Sequence, residues 1–483
     1  MPEPELLYRP ATELADLVRV GVVSARELTE LALDRIEADA QGLNAFTVVD
    51  RERALATAGD IGPGDERPFA GVPIAIKDLT LPTSGMRLSQ GSELFGDYTP
   101  DYDGHVVRRI RAGGFVIVGK TAAPEMGIVP VTESRRFGPT RNPWNTDRTP
   151  GGSSGGAAAA VAGGLVPIAH GSDGGGSIRI PAACCGLVGL KVSRGRISKG
   201  PDQGESFLSV DGVLTRTVAD TAAALDLLAG YEPGDASWAP PPFEPFSETA
   251  ARTPGPLRIA LMIDPGTDAD VHPAAEGAAR DAARLLETFG HSVEEVEPPV
   301  RLEQAIEFFT DLWAATVSTG VLFGEFVSGR SAGPENLEAL TLALHERALA
   351  TPSSHYLRSL TLLQRLARVT IEWATRWDLI LTPSLAQRPL AIGSLPTDGP
   401  DPMGTFMASS RFTPYTPFVN VTGQPAISLP MYEGDDGLPL AIQLIGPPVS
   451  EGLLLSIASQ LEAEQRWDKR RPPSVAVSPL GDG

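Results

Sequence analysis

The sequence predicts an α/β protein in which a mixed or parallel β-sheet is surrounded by helices and interrupted by a helical insertion. Three observations carry this. From residue 68, short apolar runs of strand length, FAGVPIAIKD and GGFVIVGKT, alternate with glycine, proline and helical segments, which is the texture of βαβ units. Residues 302 to 377 read as mostly helical. Strand-like runs then return in DLILTPSL, QPAISLP and PLAIQLIG, an order that one sheet resumed after an insertion explains better than two independent domains.

Taken in order, residues 11 to 60 alternate apolar and charged positions at helical spacing, in ELADLVRVGVV and then SARELTELALDRIEA, where Ser24 and Glu27 form a capping box. Residues 1–60 are therefore expected to form N-terminal helices packing on the core. The Pro-rich stretch 231 to 256 reads as a long surface connection, and residues 471–483 as a loose tail.

Composition narrows the function classes. Of 483 residues, 60 are Asp or Glu against 40 Lys or Arg, and the net charge of −20 argues against nucleic acid and anionic membrane surfaces as partners. The two cysteines, Cys184 and Cys185, are neighbours and cannot close an ordinary disulfide loop, which fits a reducing, cytoplasmic setting. The N-terminal MPEPELLYRPATEL has acidic residues where an export signal carries positive charge, and no apolar stretch follows it. The longest stretch free of Asp, Glu, Lys and Arg, Thr149 to Ser172, holds only four of Val, Leu or Ile among many Gly, Ala and Ser, so it reads as buried backbone rather than a membrane span.

Residues 114–121, GFVIVGKT, satisfy the phosphate-loop pattern GxxxxGK[ST]. Phe115, Val116, Ile117 and Val118 prefer an extended, packed strand to a loop whose amides turn toward phosphates, so the strand reading is favoured and nucleotide binding is the minor alternative. GSDGGG does not have the GxGxxG spacing of dinucleotide sites. The six histidines, at 105, 170, 272, 291, 345 and 355, include no HExxH and no pair at ligand spacing, so neither a metal nor a cofactor is expected.

The serines remain. In GSDGGGSIRIP, residues 171–181, Ser177 follows a glycine frame, but neither GxSxG nor a well-placed histidine accompanies it, so it needs another base. Lys77 ends the apolar run GVPIAIK; desolvation there would depress its pKa and make it a base, whereas a lysine that snorkels to water is the plainer alternative for that residue alone. Ser153 and Ser154 lie in TPGGSSGGAAAAVAGG. A Gly/Ser linker would be solvated, while this segment runs into Ala157 to Ile168, which is apolar enough only for burial.

In their order and spacing, GVPIAIKDL, GGFVIVGKTAAPEMG, FGPTRNPWN, TPGGSSGG, GSDGGGSIRIPAACCGLVGLKVSRGRIS, VLTRTVADTAAALDLLAG and PFVNVTGQPAISLP resemble the amidase signature family of serine hydrolases, over most of the chain. The version here is similar to free-standing bacterial amidases of the aryl acylamidase and urethanase kind. The resemblance implies a large mixed twisted β-sheet surrounded by helices. It also implies a single domain over 61–470: a catalytic core at 61–230, a variable substrate-side insertion at 231–377 and the C-terminal part of the sheet at 378–470. It implies a relay of Lys77, Ser153 in a cis peptide and the nucleophile Ser177. The amides of Gly174, Gly175, Gly176 and Ser177 would form an oxyanion hole, and Ser154, Asp173 and Arg179 would support the loop.

Met126, Phe137 and Trp144, with residues 310 to 325, are expected to line an apolar pocket, although each apolar residue is equally well explained as core. The expected reaction is hydrolysis of small neutral or aryl carboxamides, with carbamates as a further class, by a monomer or homodimer. The alternative within the family is an amidotransferase subunit that needs partner chains. GPDQGESFLSVDG after LKVSRGRIS, and the acidity of the chain, disfavour it.

Overall fold

The computed structural model describes residues 4–39, 42–204, 206–303 and 305–473; positions 474–483 of the expected tail lie outside the described residues. Thirteen strands occur among them: β1 (Phe46–Val49), β2 (Pro73–Lys77), β3 (Val116–Thr121), β4 (Glu133–Ser134), β5 (Gly138–Pro139), β6 (Ile168–Asp173), β7 (Val188–Lys191), β8 (Val210–Thr215), β9 (Arg258–Leu261), β10 (Ser292–Glu295), β11 (Leu379–Pro383), β12 (Ala426–Glu433) and β13 (Pro439–Ile445). Eleven of them form one mixed sheet in the order β1-β3-β2-β6-β8-β7-β12-β13-β11-β9-β10, while β4 and β5 make a separate ribbon. This is the large mixed sheet surrounded by helices that the sequence led us to expect.

The central strands are buried along their whole length, β2, β3, β6 and β8 alike, because helices cover both faces; near-continuous apolar runs such as PIAI are what that environment selects. β2 runs parallel to both β3 and β6, so its last residue, Lys77, and the end of β6 at Ser172 and Asp173 emerge on one edge of the sheet. The carboxyl ends of neighbouring parallel strands are where such sheets build their sites.

The N-terminal helices Ala11–Arg19 and Ala25–Ala38 form as their spacing indicates, and the Ser24 hydroxyl accepts from the Glu27 amide at 3.1 Å while the Glu27 carboxylate accepts from the Ser24 amide at 2.8 Å. Ala-rich residues Gly155–Ala162 form a helix buried at every position; side chains this small bring it close against the sheet. The candidate phosphate loop is a strand. Its Lys120 is fully buried in β3, with Nζ donating to the Leu81 carbonyl at 3.1 Å, and no loop exists there to receive a phosphate.

Residues 302–377 are dominated by the helices Ala305–Ser328, Ala339–Ala350 and Ser353–Ala374. Residues 231–301 add something that their sequence did not announce. β9 and β10 join the far edge of the main sheet, β9 pairing in parallel with β11 through Leu379↔Ile259. One apolar cluster extends from Ala11 to Trp467, and a second, around Leu94, Val131, Val321 and Leu340, joins the helices Ala305–Ser328 and Ala339–Ala350 to the first half of the chain.

Candidate active site

Lys77 is fully buried. Its Nζ donates to Ser153 Oγ at 2.7 Å and to Ser172 Oγ at 3.1 Å, with the Ser172 carbonyl at 3.5 Å. Burial pushes the amine down to about 7, against the pull of Asp173 and Asp211 toward the ammonium form and with the help of Lys199. The solvent-seeking alternative for this lysine is therefore absent from the structure.

Ser153 follows a cis peptide bond from Gly152. A side chain on Gly152 would put a Cβ 2.6 Å from the Val131 amide nitrogen and carbonyl oxygen, which is why glycine stands there. Ser154 ties the surrounding segments together: its hydroxyl donates to the Ser172 carbonyl at 3.2 Å, and its amide donates to the Ser177 carbonyl at 3.3 Å. TPGGSSGG and GSDGGGSIR, separate in sequence, are thus joined at the end of β2.

Ser177 precedes the short helix Arg179–Cys185 and borders an open cleft. The preceding Gly176 has φ +126°, and a Cβ there would lie 2.3 Å from Thr416 Oγ1, so two independent constraints exclude other residues. The loop is organised by Asp173, whose carboxylate accepts from the amides of Gly176 at 2.7 Å, Ile178 at 3.2 Å and Arg179 at 3.4 Å. This differs from the expectation for Gly176: its N–H is engaged by Asp173 within the loop's own frame instead of being offered to the cleft. The expected donor set reduces to Gly174, Gly175 and Ser177.

Arg179 is also fully buried. It meets Asp173 in a two-pronged pair, Nε to Oδ2 and Nη2 to Oδ1, both at 3.0 Å, and reaches Gln443 Oε1 at 2.7 Å and Asn420 Oδ1 at 2.6 Å. Burial by itself would raise the Asp173 carboxyl, but the Arg179 guanidinium, Lys191 and Asn420 overcome it and hold the group well below the ordinary carboxylate range. Asp173 is accordingly a fixed anion that shapes the loop and not a proton carrier. Asn420, in PFVNVTGQP, was not singled out from the sequence; its amide donates to the Asp173 carbonyl and carboxylate, both at 2.9 Å.

The cleft beside Ser177 and Gly175 has an open volume of about 940 Å³, and none of the described residues that line it is charged. Its walls include Leu302, Phe309, Trp313, Phe406 and Phe418. Phe309 and Trp313 stack with ring centroids 5.4 Å apart, and the indole lies 3.4 Å from where a Cβ on Gly174 would stand.

Of the expected pocket residues, only Trp313 within 310 to 325 is placed on this cleft. Met126, Phe137 and Trp144 lie elsewhere for identifiable reasons. Met126 packs into the second apolar cluster; Phe137 is held by the guanidinium groups of Arg87 and Arg136, 5.4 and 5.2 Å from its ring centre; the Trp144 indole donates to the Cys185 carbonyl at 2.8 Å. The i, i+4 aromatic pair in IEFFTDLW was the one available signal for the cleft wall. Among the described residues no cluster of His, Cys, Asp and Glu could hold a metal ion.

A family model described as Amidase matches residues 27–455. The chain is 37% identical over 482 residues to the 6-aminohexanoate-cyclic-dimer hydrolase of Pseudomonas sp. (strain NK87), covering 96% of this chain and 97% of that protein. A solved 6-aminohexanoate cyclic dimer hydrolase complexed with substrate aligns with a TM-score of 0.91 and 34% identity, covering 97% of this chain and 100% of the other. A bacterial aryl acylamidase of the amidase signature enzymes aligns with a TM-score of 0.87 and 26% identity, over 98% of this chain and 100% of the other.

Proposed function

The chain belongs to the amidase signature family and is a hydrolase of amide bonds, and from that premise we propose that it works through Lys77, Ser153 and Ser177 on small neutral or aryl carboxamides, with carbamates as a second class. Neutral Lys77 accepts a proton from the Ser153 hydroxyl as Ser153 accepts one from Ser177, and the freed Ser177 oxygen attacks the carbonyl carbon. The negative oxygen of the tetrahedral intermediate is met by amides of Gly174, Gly175 and Ser177. The proton returns along the relay to the departing amine, leaving an ester on Ser177. Water, deprotonated by the same relay, then releases the acid.

The observation that carries this reading is the 2.7 Å hydrogen bond from a buried lysine to a serine hydroxyl, because burial turns that amine into a base bonded directly to the bridging serine. The cleft supports the substrate class: with no charge on its walls among the described residues, these offer nothing to repay the desolvation of a charged substrate. In this reading 61–470 acts as one catalytic unit, and the 231–377 insertion supplies part of the cleft through Thr267, Leu302, Phe309, Trp313 and Leu363. In the same reading the enzyme acts in the cytoplasm as a monomer or homodimer. No helix among the described residues is long and apolar enough to cross a membrane.

The test is hydrolysis of a panel of neutral anilides, primary amides and carbamates by the purified chain alone, with Ser177→Ala as control. Neutral aryl amides are expected to be cleaved, and analogues carrying a carboxylate on the acyl group to show kcat/KM lower by about 100-fold. Equal turnover of the charged analogues would remove the substrate assignment.

The pH dependence has a definite sign. Since only the deprotonated amine starts the cycle, labelling of Ser177 by a fluorophosphonate should rise about tenfold per pH unit on the acid side and level off above the amine's value of about 7. Labelling that declines from pH 6 to pH 8 would be incompatible with a lysine base.

Trp313→Ala is expected to raise KM for an anilide by about tenfold, with kcat reduced far less, because it removes apolar contact made equally by bound substrate and transition state. An unchanged KM would place the aryl group elsewhere.

A further inference from the structure

Lys77 shares its surroundings with three ionisable side chains that the relay does not use. Asp211, on β8, is nearly fully buried; its Oδ2 accepts from Lys199 Nζ at 3.0 Å, and its Oδ1 lies 3.3 Å from His170 Nε2. Lys199 also reaches Ser209 Oγ at 3.3 Å. His170 is fully buried on β6, and its Nδ1 has no hydrogen-bond partner among the described residues, which assigns the proton to Nε2 and the bond to Asp211.

The sheet places this array beside the base. In the antiparallel register of β6 and β8, Asp211 is the partner of Ser172, the residue whose hydroxyl and carbonyl receive the Lys77 amine. His170, two residues before Ser172, shares its face of β6. The groups bearing on Lys77 are thus Asp173 on β6 and Asp211 on β8, which favour the ammonium, and Lys199 from the segment after β7, which opposes it.

We propose that Lys199, Asp211 and His170 are positioning residues of the amide-hydrolysing site: a buried ion pair, anchored by a neutral imidazole, that fixes the balance of charge around Lys77 so that its amine can both take and return a proton. The inference rests on the reading of Lys77 as the base. Asp211 alone, buried beside the lysine's surroundings, would draw a proton onto the lysine and leave it there. Lys199 compensates that charge. His170, kept neutral by burial despite the pull of Asp211, holds the carboxylate without adding a charge of its own.

The two members of the ion pair therefore have opposite effects on the base, which general damage to the site would not reproduce. The experiment measures the pH profile of fluorophosphonate labelling at Ser177 in the full chain and in Lys199→Met, Lys199→Arg and Asp211→Asn. Lys199→Met should move the midpoint to more alkaline pH, so that labelling at pH 6 falls about threefold to tenfold while that at pH 9 is unchanged. Asp211→Asn should move it to more acid pH, and Lys199→Arg should keep the parent profile.

Midpoints that stay fixed, or that move the same way in Lys199→Met and Asp211→Asn, would overturn the proposal. Should Asp211→Asn not fold, the contrast of Lys199→Met with Lys199→Arg decides, since only loss of the charge is expected to move the midpoint. A parent chain that shows no labelling at Ser177, or no rise with pH, would instead count against Lys77 as the base. A parent profile that rises while its variants share it unchanged defeats the inference alone.

Discussion

Lys77→Met should reduce labelling of Ser177, and amide hydrolysis with it, by about 10⁴-fold at pH 8, the scale on which members of a concerted nucleophilic relay fail when one is removed. The physical reason is the absence of a substitute. Among the described residues the neighbours of Lys77 within hydrogen-bond distance are Ser153 and Ser172, neither of which takes up a proton at this pH. Methionine approximates the volume of the lysine stem and needs no hydrogen bond, so stability should change by no more than about 1.5 kcal/mol. Stopped-flow labelling and a denaturation curve on the same preparation separate the two effects. Retention of more than a tenth of the parent rate by a folded Lys77→Met would show that the lysine is structural.

The second large effect concerns the loop's frame. Arg179→Met should destabilise the chain by about 3–5 kcal/mol, because it strands the fully buried Asp173 carboxylate without its guanidinium. It also removes the contacts to Gln443 and Asn420 that tie the loop to β13 and to the helix Pro417–Thr422. Arg179→Lys should recover little, since an ammonium cannot reproduce the two-pronged pair together with the other contacts.

The parent's pH behaviour carries the same signature. Asp173 is held below its unfolded value, so its contribution to stability is present above that value and lost as pH falls through the depressed folded one. In Arg179→Met only Lys191, Asn420 and the loop amides oppose burial, so the folded value rises toward the unfolded one and the stability lost on acidification should shrink. Denaturant midpoints measured from pH 7 down to pH 4 report both changes, and a variant with the parent's midpoint would contradict the role given to the ion pair.

What could be read from the sequence followed the strength of the local physics. Long apolar runs such as PIAI in β2 and VIV in β3 have one sensible environment, and the resumption of strands at DLILT and PAISLP announced a sheet that continues after the helices of 302–377. Lys77, Ser153 and Ser177 stood out because glycine frames and a strand-end lysine are unusual surroundings for those residues, and the structure gathers their segments at one edge of the sheet.

The strands β9 and β10 were not legible. RIAL and SVEE are four residues each, and SVEE at the sheet's edge is largely exposed, so no apolar pattern marks it. The cleft wall was equally hidden. Leu302, Phe309, Trp313, Phe406 and Phe418 come from three segments that only the tertiary fold brings together, and an aromatic side chain looks the same in sequence whether it lines a cleft or fills a core. Phe137 and Trp144 illustrate the converse: they lie in a distinctive motif, but a pair of arginines and a backbone carbonyl claim their rings.

The most direct measurement is the position of the covalent adduct formed when the chain meets a fluorophosphonate, read by peptide mass across pH 5 to 9 in the parent and in Lys77→Met. The expected result is one adduct, on Ser177, that forms with a midpoint of about 7 in the parent and is nearly absent from the variant. An adduct on a different residue, or equal labelling of Ser177 without the lysine, would contradict a buried amine driving the serine.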